Sequence, residues 1–500
     1  MIETPHQRAV VIGSGFGGLA AAVRLAKRGY RVTVLERLDQ PGGRARVFKQ
    51  DGFVFDAGPT VITAPFLFEE LWELCGKRLA DEIELKAVDP FYRIRFDDGD
   101  EFNYTGDSDS MRREIARFSP KEVGGYEAFL KHSEAIFRVG FEQLADVPFD
   151  DGLSMLKIVP AMVKLKSYRT VYGLVSTYIK NPKLRQVLSF HPLLVGGNPF
   201  STTSIYTLIA FLERKWGVHF PMGGTGALVN GLVNLLQGLG GTLQLGADVE
   251  KILVENGRAR GVRLRDGREI AADIVVSNAD PAWTYRYLVD QKHRKHWTDR
   301  RIDSARYSMG LFVWYFGTSR TYPDVKHHTI LLGPRYKELL QDIFDRKLLS
   351  DDFSLYLHRP TATDPSLAPA GHDAFYVLSP VPHLQSGTQW ADIKERYRLS
   401  ISRYLSQTVL PGLEDHLVSS HMLTPQQFQD DLLAFRGAAF SFEPILTQSA
   451  YFRPHNRSED IKGLYLVGAG THPGAGVPGV LSSARVLERV LSQDRPMAGP

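Results

Sequence analysis

The stretch VVIGSGFGGLAAAVRLAKRGYRVTVLE, Val10–Glu36, decides the fold. Ala9–Ile12 is apolar and reads as a buried strand, and Leu19–Arg28 reads as a helix with Leu19, Ala22, Val23 and Ala26 on one face. Between them lies Gly13-Ser14-Gly15-Phe16-Gly17-Gly18. Gly13 permits a tight turn, Gly15 lets backbone approach a pyrophosphate, and Gly18 lets helix pack closely on strand. The helix amides then face the phosphates. Gly29 is expected to end the helix in the left-handed conformation, Arg31–Leu35 to form the next strand, and Glu36 to bind ribose hydroxyls about 20 residues on. This is a complete strand, helix, strand and acid unit for a dinucleotide.

The unit does not separate a nicotinamide from a flavin dinucleotide. Glu36-Arg37 is followed by Pro41-Gly42-Gly43-Arg44 and by Asp56-Ala57-Gly58-Pro59-Thr60. The first resembles the GG-R extension, and the second the isoalloxazine-side loop, of flavoproteins in the amine-oxidase and phytoene-desaturase superfamily. A second glycine-rich stretch, GLYLVGAGTHPGAGVPGVLSSARV at Gly463–Val486, closes the chain. Two such loops suggest one long cofactor held from both sides.

With 500 residues, 43% of them hydrophobic, the chain is long enough for two or three lobes. A single cysteine, Cys75, excludes an internal disulfide, an iron–sulfur cluster and a cysteine zinc site. It fits a reducing cytosol. Four glycines and Arg24 interrupt the apolar run Ala9–Ala26, and no other stretch approaches about 20 apolar residues, so no transmembrane helix is expected.

The net charge of +4 says little, but its distribution is uneven. Gly152–Leu212 contains no Asp or Glu, while Lys157, Lys164, Lys166, Arg169, Lys180, Lys183 and Arg185 alternate there with apolar residues. The pattern suits either a basic amphipathic helix resting on anionic lipid or a soluble helical lobe with a solvated face. No nucleic-acid-binding module accompanies it. The run KHRKH at Lys292–His296 holds a His-x-x-His pair without further ligands and reads as a solvated helix end, so no metal is expected.

Read coarsely, the chain visits the cofactor domain three times. Residues 1–90 form its first part. Residues 91–219 hold a hairpin, Phe91–Phe96 with Glu101–Tyr104, and a helical lobe. Residues 220–300 return to the cofactor domain through a helix ending near Leu236 and strands at Thr242–Leu245, Val249–Val254, Arg258–Leu264 and Ile270–Ser277. Residues 301–435 form a β-rich substrate lobe, and residues 436–500 the last cofactor part. The aromatic strands Ser308–Phe316, Phe353–His358 and Ala374–Pro382 offer a wall for an apolar cavity. The tail after Asp494 is expected to fray.

Over nearly its whole length the chain resembles the bacterial-type phytoene desaturases. DAGPTVIT at Asp56–Thr63, HPLLVGGNPFSTTSIYTLI at His191–Ile209, FPMGGTGALV at Phe220–Val229, LTQSAYFRPHNR at Leu446–Arg457 and the closing segment carry the likeness. It implies an α/β, Rossmann-like FAD-binding domain with a β-sheet substrate lobe and a helical, membrane-associating lobe. FAD would be held by Gly13, Ser14, Gly15, Gly17, Gly18, Glu36, Arg37, Gly42, Gly43, Arg44, Gly58, Pro59 and Thr60. Val249, Asn278, Ala279, Gly468, Ala469, Gly470, Gly476, Val477 and Pro478 would complete the site. The resemblance further implies dehydrogenation of phytoene, most readily through to lycopene, by an enzyme on the cytoplasmic membrane surface, with quinone or oxygen reoxidising the flavin. Related readings are a carotenoid isomerase, an amine oxidase, or a non-catalytic lipid carrier of the GDP-dissociation-inhibitor kind. No catalytic residue is assigned. His191 and Glu213 adjoin family-like segments and are conceivable proton acceptors, but both read as structural. The run GLSMLKI at Gly152–Ile158 carries less charge than the family pattern, which moves acid–base work away from that helix.

Overall fold

The computed structural model describes residues 7–150 and 152–494, so the expected frayed tail lies outside the described residues. Arg8–Ile12 and Arg31–Leu35 pair in parallel, with Ile12 opposite Leu35. The helix between them spans Phe16–Lys27, three residues earlier than the apolar spacing puts it. Gly17 and Gly18 fall inside its first turn, where periodicity is silent because glycine has no side chain. Gly29 takes a φ of +86°, the expected left-handed ending.

Three further strands join this pair from distant parts of the chain. The sheet runs Leu464–Leu466, Ile274–Ser277, Arg8–Ile12, Arg31–Leu35, Thr242–Gln244, and every pairing is parallel. The single strand expected at Ile270–Ser277 is two. Glu269–Ala271 pairs antiparallel with Arg258–Leu264, whereas Ile274–Ser277 enters the parallel sheet with Val275 opposite Val10. Burial separates them: Ile274–Ser277 is wholly buried, and Glu269–Ala271 is a partly exposed edge. The first helix packs on the final helix, Val477–Asp494, through Leu19, Val23, Leu481, Ala484 and Leu487. Arg24, buried at this seam, pairs with Glu70 at 2.9 Å and Glu488 at 2.8 Å.

The second lobe is a seven-stranded sheet ordered Leu417–Leu423, Gly310–Thr318, Asp373–Val381, Leu355–His358, His328–Leu331, Tyr92–Arg95, Glu101–Tyr104. The hairpin grouped by the sequence with the helical lobe is therefore the edge of this sheet, with Ile94 beside Ile330. Its buried Tyr92, Ile94, Phe102 and Tyr104 have no other apolar face to join. Gly310–Thr318 is buried on both sides. Leu311, Val313 and Tyr315 face the larger core, and Phe312, Trp314 and Phe316 face the helix Trp390–Thr408. Alternation is thus hidden in a continuous apolar run.

A buried ion pair stitches one end of this sheet. Asp373 accepts from Arg359 Nε at 2.9 Å, from the Tyr322 amide at 2.6 Å and from Thr361 Oγ1 at 2.7 Å. Replacing Asp373 with Ala strands the guanidinium, and a loss of about 3–5 kcal/mol is expected in chemical unfolding.

Candidate functional site

The opening and closing glycine stretches converge on one side chain, Asn278, which follows the strand Ile274–Ser277. A Cβ built on Gly15 would lie 2.9 Å from Asn278 Nδ2, one on Gly17 2.6 Å from Asn278 Oδ1, and one on Gly468 2.7 Å from the same oxygen. Gly18 is excluded from a side chain by the Gly13 carbonyl, 2.1 Å from its would-be Cβ. The first helix begins beyond Gly15 with no side-chain cap and no acid in its first turn. Its amides are left to an external anion.

The charges beside this cradle are arranged for the same ligand. Glu36 Oε2 accepts from the Ser14 amide at 2.9 Å and hydroxyl at 2.6 Å, and Oε1 accepts from the Leu38 amide at 3.0 Å. The carboxylate is fixed at the cavity edge with lone pairs left over for ribose hydroxyls. Arg44 lines the cavity with its Nε unpartnered, and burial pulls its pKa down while the Asp280 charge opposes that. A part-buried guanidinium whose Nε has no acceptor is a seat for a pyrophosphate. The glycine cradle, the bare helix terminus, Glu36 and Arg44 fit FAD.

Nearly all residues expected at the cofactor line one continuous cavity of about 520 Å³. Ser14, Gly18 and Gly470 do not. Ser14 is buried behind Glu36 and Gly18 is packed on Gly13. A Cβ on Gly470 would meet Pro281 Cδ at 2.2 Å and Ser441 Oγ at 2.6 Å, so this glycine serves chain packing. Arg37 turns its guanidinium to the Asp431 carbonyl at 2.8 Å, and its neighbourhood also lines the cavity. The loop Ala57–Thr60 is held by the β lobe: Tyr315 donates to the Ala57 carbonyl at 2.7 Å, Tyr376 donates to the Gly58 carbonyl at 3.1 Å, and Thr60 bonds Tyr376 at 2.6 Å.

Beyond the cofactor residues the cavity becomes apolar. Leu311, Val313, Tyr356 and Leu378 of the sheet form one wall, and Met155, Ile158, Met162 and Leu165 of the basic stretch form the other. The sequence left this stretch open between a helix resting on lipid and a soluble lobe with a solvated basic face. The spacing of the methionines along Gly152–Lys164 puts one face of that helix inward. Glu213 also borders this arm: Oε1 accepts from Tyr92 at 2.7 Å, and Oε2 lies 3.3 Å from His191 Nε2. It ties the strand Tyr92–Arg95 to two helical segments. Arg453, missed at the sequence level, is fully buried and donates to the Ala469 and Thr471 carbonyls at 2.7 and 3.0 Å, fixing the closing glycine segment. Its position inside LTQSAYFRPHNR was the available signal.

The fold and the site define a dinucleotide-binding flavoprotein with a large apolar annex. A sequence profile of the flavin containing amine oxidoreductases matches residues 16–486, and the chain belongs to that family. It is 50% identical to the phytoene desaturase (lycopene-forming) of Pseudescherichia vulneris, over 98% of this chain and 99% of that one. It is 47% identical to the phytoene desaturase (neurosporene-forming) of Cereibacter sphaeroides, over 98% and 95%. Among solved structures, a putrescine oxidase variant superposes with a TM-score of 0.65 at 13% identity, covering 98% of this chain and 99% of that one. That likeness speaks for the fold alone.

Two outcomes test the site. Gly468→Val, at a φ of +101° and against Asn278, is expected to purify without visible flavin absorbance. Glu213→Ala leaves the Tyr92 hydroxyl unpaired and should lower stability by about 1–3 kcal/mol, whereas Glu213→Gln, which keeps an acceptor, should cost less in the same thermal melts.

Proposed function

We propose that this protein is an FAD-dependent desaturase of phytoene, carrying it through successive desaturations to lycopene. The observation that carries this reading is the single cavity joining a dinucleotide cradle to a long apolar arm. Relatives bearing phytoene desaturase names support it over nearly full length. An amine substrate would bring a charge into an arm walled by leucine, methionine and aromatic side chains, where desolvation opposes it.

Each desaturation removes a hydride from an allylic carbon and a proton from its neighbour. The flavin, when bound, supplies the hydride acceptor. The chain's own residues bind, orient and exclude water. A hydrocarbon offers no polar handle, so affinity comes from burial at about 25 cal/mol per Å². Arg44 and the first helix would seat the pyrophosphate, Glu36 the ribose, and the tyrosine-held loop Ala57–Thr60 would abut the ring system.

The substrate also explains the outer side of the helix Gly152–Lys164. Opposite its cavity face, Leu156 is 66% and Val163 58% exposed, and Tyr168 just beyond is 61% exposed. Lys157 and Lys164 are exposed beside them. Not all of the acid-free stretch shares this surface: Lys183 reaches Asp98 and Asp100 of the hairpin, and Arg185 donates to the Ile179 carbonyl at 2.7 Å. Among the described residues no helix is long and apolar enough to cross a membrane. Our reading is peripheral docking of this helix on the cytoplasmic face of an anionic bilayer, with a membrane quinone or oxygen as the electron acceptor.

Anaerobic mixing of the FAD-loaded protein with phytoene in liposomes is expected to bleach the flavin, and chromatography after aerobic turnover to show lycopene. Phytoene leaving the flavin oxidised, while an amine or another polyene reduces it, would sink the reading. For docking, the Lys164→Gln, Lys166→Gln and Arg169→Gln combination should weaken cosedimentation with anionic liposomes, and Leu156→Ser with Val163→Ser should weaken what salt leaves behind. Unchanged cosedimentation in both sets rejects it.

A further inference from the structure

Three histidines lie together in the seven-stranded sheet, beside Tyr356 and Tyr376 of the cavity wall. His328 and His358 are direct cross-strand neighbours, and His358 is in turn opposite Tyr376, so all three side chains share one face. His327 precedes His328 and closes the group, with ring centroids 4.5 Å from His328 and 4.8 Å from His358. One nitrogen from each ring lies within 4.8 Å of the others. His327 is 5% exposed, and His328 and His358 are fully buried.

The hydrogen bonds show which nitrogens are spoken for. His327 Nδ1 meets Thr363 Oγ1 at 2.6 Å, and His328 Nδ1 meets the Tyr356 hydroxyl at 2.7 Å. Nε2 of both rings has no hydrogen-bond partner, and neither nitrogen of His358 makes a hydrogen bond of good geometry, although the His327 backbone lies beside that ring. A chain of hydroxyls runs from His328 to the cofactor loop: Tyr356 also meets Thr60 at 3.3 Å, Thr60 meets Tyr376 at 2.6 Å, and Tyr376 donates to the Gly58 carbonyl at 3.1 Å. When Tyr356 spends its proton on Thr60, His328 Nδ1 donates to Tyr356 and the lone pair of His328 lies on Nε2.

Single unpartnered buried nitrogens also occur at His191, His219, His383, His421 and His472; only at His327, His328 and His358, among the described residues, do three such rings meet. Neutral imidazole is the form that binds a metal, and a second hydrogen bond on the far nitrogen is the usual orienting device. We propose that His327, His328 and His358 form a site for a divalent transition ion, zinc in the first instance, with the fourth position left to water.

Tetrahedral zinc with bonds of about 2.0–2.1 Å sets ligand nitrogens near 3.4 Å apart, so the ion would draw the three rings together by about an ångström. It would clip His328–Leu331 to Leu355–His358. Through His328 it would also fix Tyr356, and with it the cavity wall that reaches Gly58. The sequence alone does not bring these residues together, because His328 and His358 meet only through the pairing of two strands 30 residues apart.

The test uses the flavin-loaded full chain without a polyhistidine tag, exposed to zinc chloride and then passed over chelating resin. About one zinc per chain is expected by plasma mass spectrometry, and His327→Gln or His358→Gln should retain roughly tenfold less while still holding flavin. His296→Gln, on the surface, should change nothing. Nickel, copper or iron held by the same three residues supports the site and corrects the ion. Zinc retained equally by His358→Gln, or no zinc in the native chain, overturns it. If the variants do not fold, X-ray absorption at the zinc edge of the native protein decides: fewer than three imidazole ligands rejects the assignment.

Discussion

The structure depends on one steric constraint: backbone from both ends of the chain must come within touching distance of Asn278. Gly15, Gly17 and Gly468 have no room for a side chain because that amide occupies it. The consequence reaches the whole topology. The strand ending at Ser277 must lie between Arg8–Ile12 and Leu464–Leu466, so the polypeptide has to leave the sheet twice and return twice. Everything that encloses the apolar arm is built on those excursions.

The two excursions are not independent. Tyr315 and Tyr376, on one lobe, hold the carbonyls of Ala57 and Gly58 on the other. Glu213 joins the helical segments to Tyr92 on the sheet, and Lys183 does so from the surface through Asp98 and Asp100. Such buried polar ties are geometrically exacting, because breaking one leaves its partner unsatisfied. They hold the walls of the cavity at fixed spacing where apolar contact alone would tolerate sliding.

The cofactor domain was largely legible from the chain. Arg31–Leu35, Gly29 and Glu36 fall where spacing put them, because the unit is local and its glycines leave few alternatives. What depended on distant partners was not. Ile270–Ser277 divides between two sheets for reasons of burial that no local pattern carries, and the hairpin at Tyr92–Tyr104 joined strands from more than 200 residues away. Gly470 looked like a cofactor residue because it sits in the same glycine run, yet its neighbours are Pro281 and Ser441. The helix Gly152–Lys164 was read with one apolar face and has two, since periodicity measures an average and not what lies on either side.

The apolar arm has a consequence for how a ligand finds its place. A molecule held by contact area alone slides along such a channel with little change in energy until one end meets a wall, where each methylene left outside forfeits about 0.8 kcal/mol. Position relative to the cofactor is then set by how far the apolar lining extends, and not by recognition of any chemical group. A residue far from the reacting carbons, by shortening or lengthening the channel by one side chain, resets which bond is presented.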